Sequence, residues 1–161
     1  MARRSAVQFA LALTAIGGFA LAQTPETFTA RLTWVPISLA QQNDVSGEGS
    51  ATATLSGSTL SISGTFEGLP ATATVAHLHR GAATGARGPV IADLEVTHGT
   101  EGTVSGKIEL NTDQLEALLA GCLYIQLHAQ HGVPPDNAVL HGWLIKQATT
   151  SSPSRRKKRQ D

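Results

Sequence analysis

Apolar and polar residues alternate through most of the chain between positions 26 and 110. Side chains at i and i+2 of a strand share a face, so this period of two predicts half-buried β-strands. In "TFTARLTW" it places Phe28, Ala30, Leu32 and Trp34 together. The polar run "SLAQQNDVSGEG" follows as a loop. "SATATLSG" and "STLSISGTFEGL" flank the turn Gly57-Ser58, which predicts a hairpin with Leu60, Ile62 and Phe66 turned inward. Further strands are predicted in "ATATVAHLH", "PVIADLEV" and "TVSGKIEL", joined by the glycine-rich "GAATGARG" and by the turn "THGTEG".

One segment changes period. "NTDQLEALLAG" offers Asn111 or Thr112 as N-cap and Asp113 in the first turn. Leu115, Leu118 and Leu119 follow at helical spacing, and Gly121 ends the turn. A short helix is predicted over 113–120. "CLYIQLHAQ" and "AVLHGWLIK" then form two strands, separated by "HGVPPDN", where a proline pair enforces a loop. About eight short strands with one short helix, and no longer repeat, imply an all-β antiparallel Greek-key sandwich or flattened barrel.

The two ends stand apart from this pattern. "MARR" precedes the apolar run "AVQFALALTAIGGFAL", and "ALA" at 20–22 fits a small-residue cleavage site. Residues 1–22 are therefore expected to be a signal peptide cut after Ala22, making the protein secreted or periplasmic. An uncleaved membrane anchor is the alternative, though the run is short for a bilayer span. Residues 23–148 suffice for one domain. The tail 149–161, "TTSSPSRRKKRQD", has no apolar residue and reads as disordered. A solvated end, contact with anionic surfaces and a dibasic processing site all fit its composition.

The overall charge of zero hides an asymmetry. Between 23 and 154 only Arg31, Arg80, Arg87, Lys107 and Lys146 are basic, against eleven acids, so the body carries −6. No basic stripe can track phosphates, and nucleic acid is not an expected partner. Cys122 is the lone cysteine, so no intrachain disulfide forms, and its place before "LYIQL" reads as a small buried residue. No nucleophile elbow, phosphate loop or dinucleotide fingerprint occurs.

Candidate chemistry lies in the histidines. In "TVAHLHRG", Ala76 and Leu78 share one face while Val75, His77 and His79 share the other. Burying Leu78 is worth about 2 kcal/mol, whereas burying unpartnered imidazoles is costly, so the histidines should leave the core. The same argument turns Leu123, Ile125 and Leu127 inward and Tyr124, Gln126 and His128 outward. In "VLHGWLI" two phases stay open: Leu140, Gly142 and Leu144 inward, or Val139, Trp143 and Ile145. Periodicity does not make the histidine strands neighbours. His77 and His79 start about 6.6 Å apart along the chain, so they are polar residues on a wet face or part of a metal site. His98 sits in a turn, and Arg80 and Arg87 bracket the glycine loop as solvated positions.

"GLPATATVAHLHRGAATGARGPVIADL", "GTVSGKIELNTDQLEALLAGCLYIQLHAQ" and "HGWLI" together resemble the CHRD domain, over about residues 47–146. That family is named from chordin and occurs in exported bacterial proteins. The chain departs from it in two places. "TWVPIS" stands where the family often has Glu-Val-Pro-Pro, and His141 stands where an arginine is usual. The order of a His-x-His strand, a glycine loop, two strands and a histidine strand is also similar to copper–zinc superoxide dismutases. That likeness matches His77, His79 and His128 to three copper-site histidines. "RGAATGARGP" has no histidine where zinc ligands would stand, and Asp93 alone cannot replace them. That departure argues against dismutase activity, and a weak redox enzyme at a three-histidine copper centre stays as the third reading.

The leading expectation is thus a metal site of His77, His79 and His128; His141 and His131 are fourth-ligand candidates that read first as surface or rim histidines. Copper is favoured over zinc by the all-imidazole donors and by intrinsic affinity. Metal handling or redox protection would follow. The chordin resemblance implies the alternative, a module that binds a protein partner without metal.

Overall fold

The computed structural model describes residues 24–148, so the expected leader at 1–22 and basic tail at 149–161 lie outside the described residues. In chain order the strands are β1 (Glu26–Trp34), β2 (Glu48–Ser56), β3 (Thr59–Glu67), β4 (Ala73–Arg80), β5 (Val90–Val96) and β6 (Gly102–Glu109). Helix α1 (Thr112–Leu119) precedes β7 (Leu123–Val133), β8 (Ala138–Trp143) and β9 (Ile145–Lys146). Every pairing is antiparallel. The order β1-β2-β3-β6-β5-β4-β7-β8 returns to β1, closing an eight-stranded barrel, and β9 adds to β1. The β3–β4 and β6–β7 connections cross the barrel, which makes it a Greek key. Closure leaves little free edge for pairing with other chains.

The predicted alternation sets what fills the barrel. Phe28, Leu32, Leu60, Leu78, Ile125, Leu127 and Leu140 are each fully buried in one cluster. The β2–β3 register places Ser56 opposite Thr59, so Gly57 and Ser58 make the expected two-residue turn. At the start of β8 Val139 and Leu140 are both fully buried; beyond them the Leu140–Leu144 phase prevails, with Leu144 buried, His141 and Trp143 half-buried and Ile145 exposed.

Two expectations fail at element ends. Trp34 is 54 % exposed, because β1 leaves its alternation there and Val35 takes the buried position instead. A second small cluster of Val35, Val45, Val133 and Ala138 holds that exit. Leu119 is likewise exposed, since the short helix turns only Ala117 and Leu118 fully into the core. Asn111 caps the helix: its side chain accepts from the Gln114 amide at 2.9 Å while Gln114 returns the bond at 3.1 Å. Gly121, at φ 70°, then reverses the chain into β7.

Candidate metal centre

β4 and β7 are neighbours, and that adjacency assembles the site. Their register sets His79 opposite Tyr124, His77 opposite Gln126 and Val75 opposite His128. His128 is therefore diagonal to His77, within reach for large side chains. Their rings meet edge to face with centroids 5.1 Å apart, and His79 lies 5.9 Å from His77 in a similar arrangement. One nitrogen from each of His77, His79 and His128 lies within 4.8 Å of the others. Donors on one ion at about 2.0 Å sit at most about 4 Å apart, so small ring rotations would bring these nitrogens to the spacing a three-coordinate site requires.

These side chains leave the barrel interior, as the pattern requires, but they do not meet bulk water. His79 is 7 % exposed, His128 5 % and Gln126 2 %. Two loops cover the wall. The first, 81–89, is pinned by Gly81 N–H to the Cys122 carbonyl at 2.8 Å and Arg80 N–H to the Pro89 carbonyl at 3.0 Å. Its Gly88 carbonyl accepts from His79 Nδ1 at 3.0 Å and from the Tyr124 hydroxyl at 3.2 Å. A Cβ on Gly88 would overlap the Arg80 carbonyl, so this close approach needs glycine. The second cover is the β7–β8 connection, whose Asp136 carbonyl accepts from His128 Nδ1 at 2.8 Å.

These contacts fix the tautomers. A carbonyl only accepts, so Nδ1 of both His79 and His128 carries the proton and Nε2 keeps its lone pair. The Gln126 amide donates to His128 Nε2 at 3.2 Å, consistent with that assignment, and also to Asp136 Oδ2 at 3.2 Å. His79 Nε2 is buried without a partner, and so is His77 Nδ1. His77 presents its other nitrogen, Nε2, to Asp93 Oδ1 at 3.5 Å. Backbone or carboxylate partners on the far nitrogen are what orient ligand histidines.

Burial holds His77 below the ordinary imidazole pKa, with the neighbouring His128 adding to the effect and Asp93 opposing it. Burial also lowers His79, against the Gly88 carbonyl, which favours the charged form. Neutral rings are the metal-binding form. Access is from the His77 side, where its side chain is 22 % exposed next to a nearly free Asp93.

The remaining histidines stand outside this trio. His141, opposite Gln126 on β8, is half-buried with Nδ1 unpartnered, and burial together with Arg87 lowers its pKa. His131 is exposed beyond the site, and His98 bonds the Ala73 carbonyl at 3.0 Å in the β5–β6 turn. Arg80 and Arg87 are exposed, and Cys122 is half-buried against the core. Sequence reasoning missed Gly88, Gln126 and Asp136. Gly88 reaches His79 from nine positions away and Asp136 reaches His128 from eight, through loops no local pattern marks, while Gln126, two positions from His128, was placed on the outward face without a role.

Among the described residues no helix is long and apolar enough to cross a membrane. The family model of the CHRD domain matches residues 28–133. The curated proteins and the solved structures compared with the chain give no match.

Proposed function

The chain belongs to the CHRD domain family, and on that premise we propose that this member is an exported domain that binds one copper ion through His77, His79 and His128. The observation that carries this reading is the pair of buried nitrogens without partners, His79 Nε2 and His77 Nδ1, grouped with His128. Burying unsatisfied polar atoms costs about 1–3 kcal/mol each, and an ion bound there removes that cost. Three imidazoles suit copper, which also heads the affinity order of divalent first-row metals. His77 uses Nδ1 and His79 uses Nε2, both without a partner; His128 uses Nε2 once the Gln126 amide that donates to it turns to its other acceptor, Asp136 Oδ2, and the His77 side leaves a coordination position open to water. Copper handling or redox protection outside the cytoplasm is the role this chemistry suits, with the basic tail available for anionic surfaces.

Isothermal titration of the purified protein with copper(II) tests the reading. One ion per chain with sub-micromolar affinity is expected, weakened at least a hundredfold in the His77→Ala/His79→Ala variant. Binding no tighter than micromolar, or an unchanged affinity in that variant, overturns it. A protein partner captured equally by a variant lacking all three histidines would favour the metal-free binding module.

A further inference from the structure

One register row on the outer wall joins three aromatic rings. His79 on β4 is opposite Tyr124 on β7, and Tyr124 is opposite Trp143 on β8. The His79 and Tyr124 rings are stacked, with centroids 4.8 Å apart and planes 17° from parallel. Tyr124 and Trp143 follow at 4.5 Å and 40°. Tyr124 is 1 % exposed, whereas Trp143 is half-buried and keeps a rim in solvent. The row thus begins at a candidate metal ligand and ends at the surface.

The parts are held in place. The Tyr124 hydroxyl donates to the Gly88 carbonyl at 3.2 Å and accepts from the Gly88 N–H at 3.1 Å. The same carbonyl accepts from His79 Nδ1 at 3.0 Å, so one residue aligns both rings. A Cβ on Gly81 would come within 2.7 Å of the Trp143 ring, so the covering loop also lies against the third member. Stacking supplies some stability, but hydrophobic packing alone would not require a half-exposed tryptophan at the end of the row.

We propose that His79, Tyr124 and Trp143 form an electron path between the metal site and a one-electron carrier protein docked at the Trp143 rim. The inference rests on the copper reading above. One electron leaves the reduced carrier, which is oxidised by one unit, and copper(II) becomes copper(I); the reverse transfer is equally balanced. No bond forms or breaks. The phenol keeps its proton, because its hydrogen bond goes to a carbonyl rather than to a base. Electron tunnelling weakens steeply across gaps, and contiguous stacked rings bridge the covered His79 side of the site to the surface, away from the opening at His77. The exposed Arg80 and Arg87 stand beside the loop that lies against Trp143, and Arg87 acts on His141 of the same strand as Trp143, so the rim favours a carrier with an acidic contact face.

The full chain and its Trp143→Leu and Trp143→Phe variants are loaded with copper, and affinity is measured first. Electron exchange with a plant-type ferredoxin, an acidic one-electron carrier, is then followed by stopped flow from whichever direction runs downhill. Equal copper affinities are expected, with exchange at least tenfold slower in Trp143→Leu and within threefold of the parent in Trp143→Phe. Emission gives a second reading, since the chain has two tryptophans, Trp34 and Trp143. One equivalent of copper(II) should quench most of the emission in Trp34→Phe and little in Trp143→Phe. Equal exchange rates in parent and Trp143→Leu, or equal quenching of the two tryptophans, overturn the path while leaving the metal site standing. A parent chain that binds no copper overturns the metal reading and the path together.

Discussion

His79 and Tyr124 stand opposite each other across the β4–β7 pairing and share one acceptor, the carbonyl of Gly88. That sharing ties the candidate ligand, its aromatic neighbour and the covering loop into one unit. It also fixes which nitrogen of His79 is free.

Copper should stabilise the folded chain, because the trio is assembled from two strands and does not exist in the unfolded state. At free copper a hundredfold above Kd the expected increment is about 2.7 kcal/mol. Thermal denaturation with and without copper measures it. Excess chelator should return the midpoint to the metal-free value, and the His77→Ala/His79→Ala variant should show no copper-dependent shift.

Asp93 faces His77 Nε2 at 3.5 Å, and His77 Nδ1 is buried without a partner. Replacing the carboxylate by Asp93→Asn should weaken copper binding by about tenfold, the low end for a residue that orients a ligand. The carboxylate is almost fully exposed, which limits its influence. Metal-free stability should hardly change. Titration calorimetry and a denaturant midpoint separate the two effects.

Acid should destabilise the metal-free domain. Burial lowers His77, His79 and His141 from the ordinary value of 6.5. Around and below that pH the unfolded chain binds more protons than the folded one, so stability rises with pH there. The contribution is fully present above about 6.5 and is lost as pH falls through the lowered folded values. Urea midpoints at pH 7.5 and at pH 5 should show a clear drop, and a chain carrying His79→Gln and His141→Gln should show a smaller one.

Leu78 and Val75 lie on opposite faces of β4, the first fully buried and the second 43 % exposed. Leu78→Ala should cost about 2–5 kcal/mol by opening a cavity in the barrel. Val75→Ala should stay within about 1 kcal/mol. Equal losses in the two variants would mean that the strand phase is wrong.

Local order was legible along the chain because strand alternation and helix caps are written in near neighbours. Phe28, Leu60 and Leu78 declared their faces by a period of two, and the helix ends were marked by Asn111 or Thr112 with Asp113 at one side and Gly121 at the other. The same pattern sent His77, His79 and His128 out of the core. Trp34 escaped it, since alternation cannot say where a strand leaves the barrel.

Adjacency was decided only in three dimensions. Periodicity assigns a face to each strand but no neighbour, so the meeting of His77 with His128 came from the Greek-key order that sets β4 beside β7. Burial of that outer wall was also a tertiary outcome: the loops carrying Gly88 and Asp136 fold back over it and hold the histidine tautomers through backbone carbonyls. The sequence by itself determined which imidazoles face outward. Strand order and loop closure decided that they stand together and dry, because strand order depends on contacts between residues far apart in the chain and loop closure on contacts eight and nine positions apart that no periodicity records.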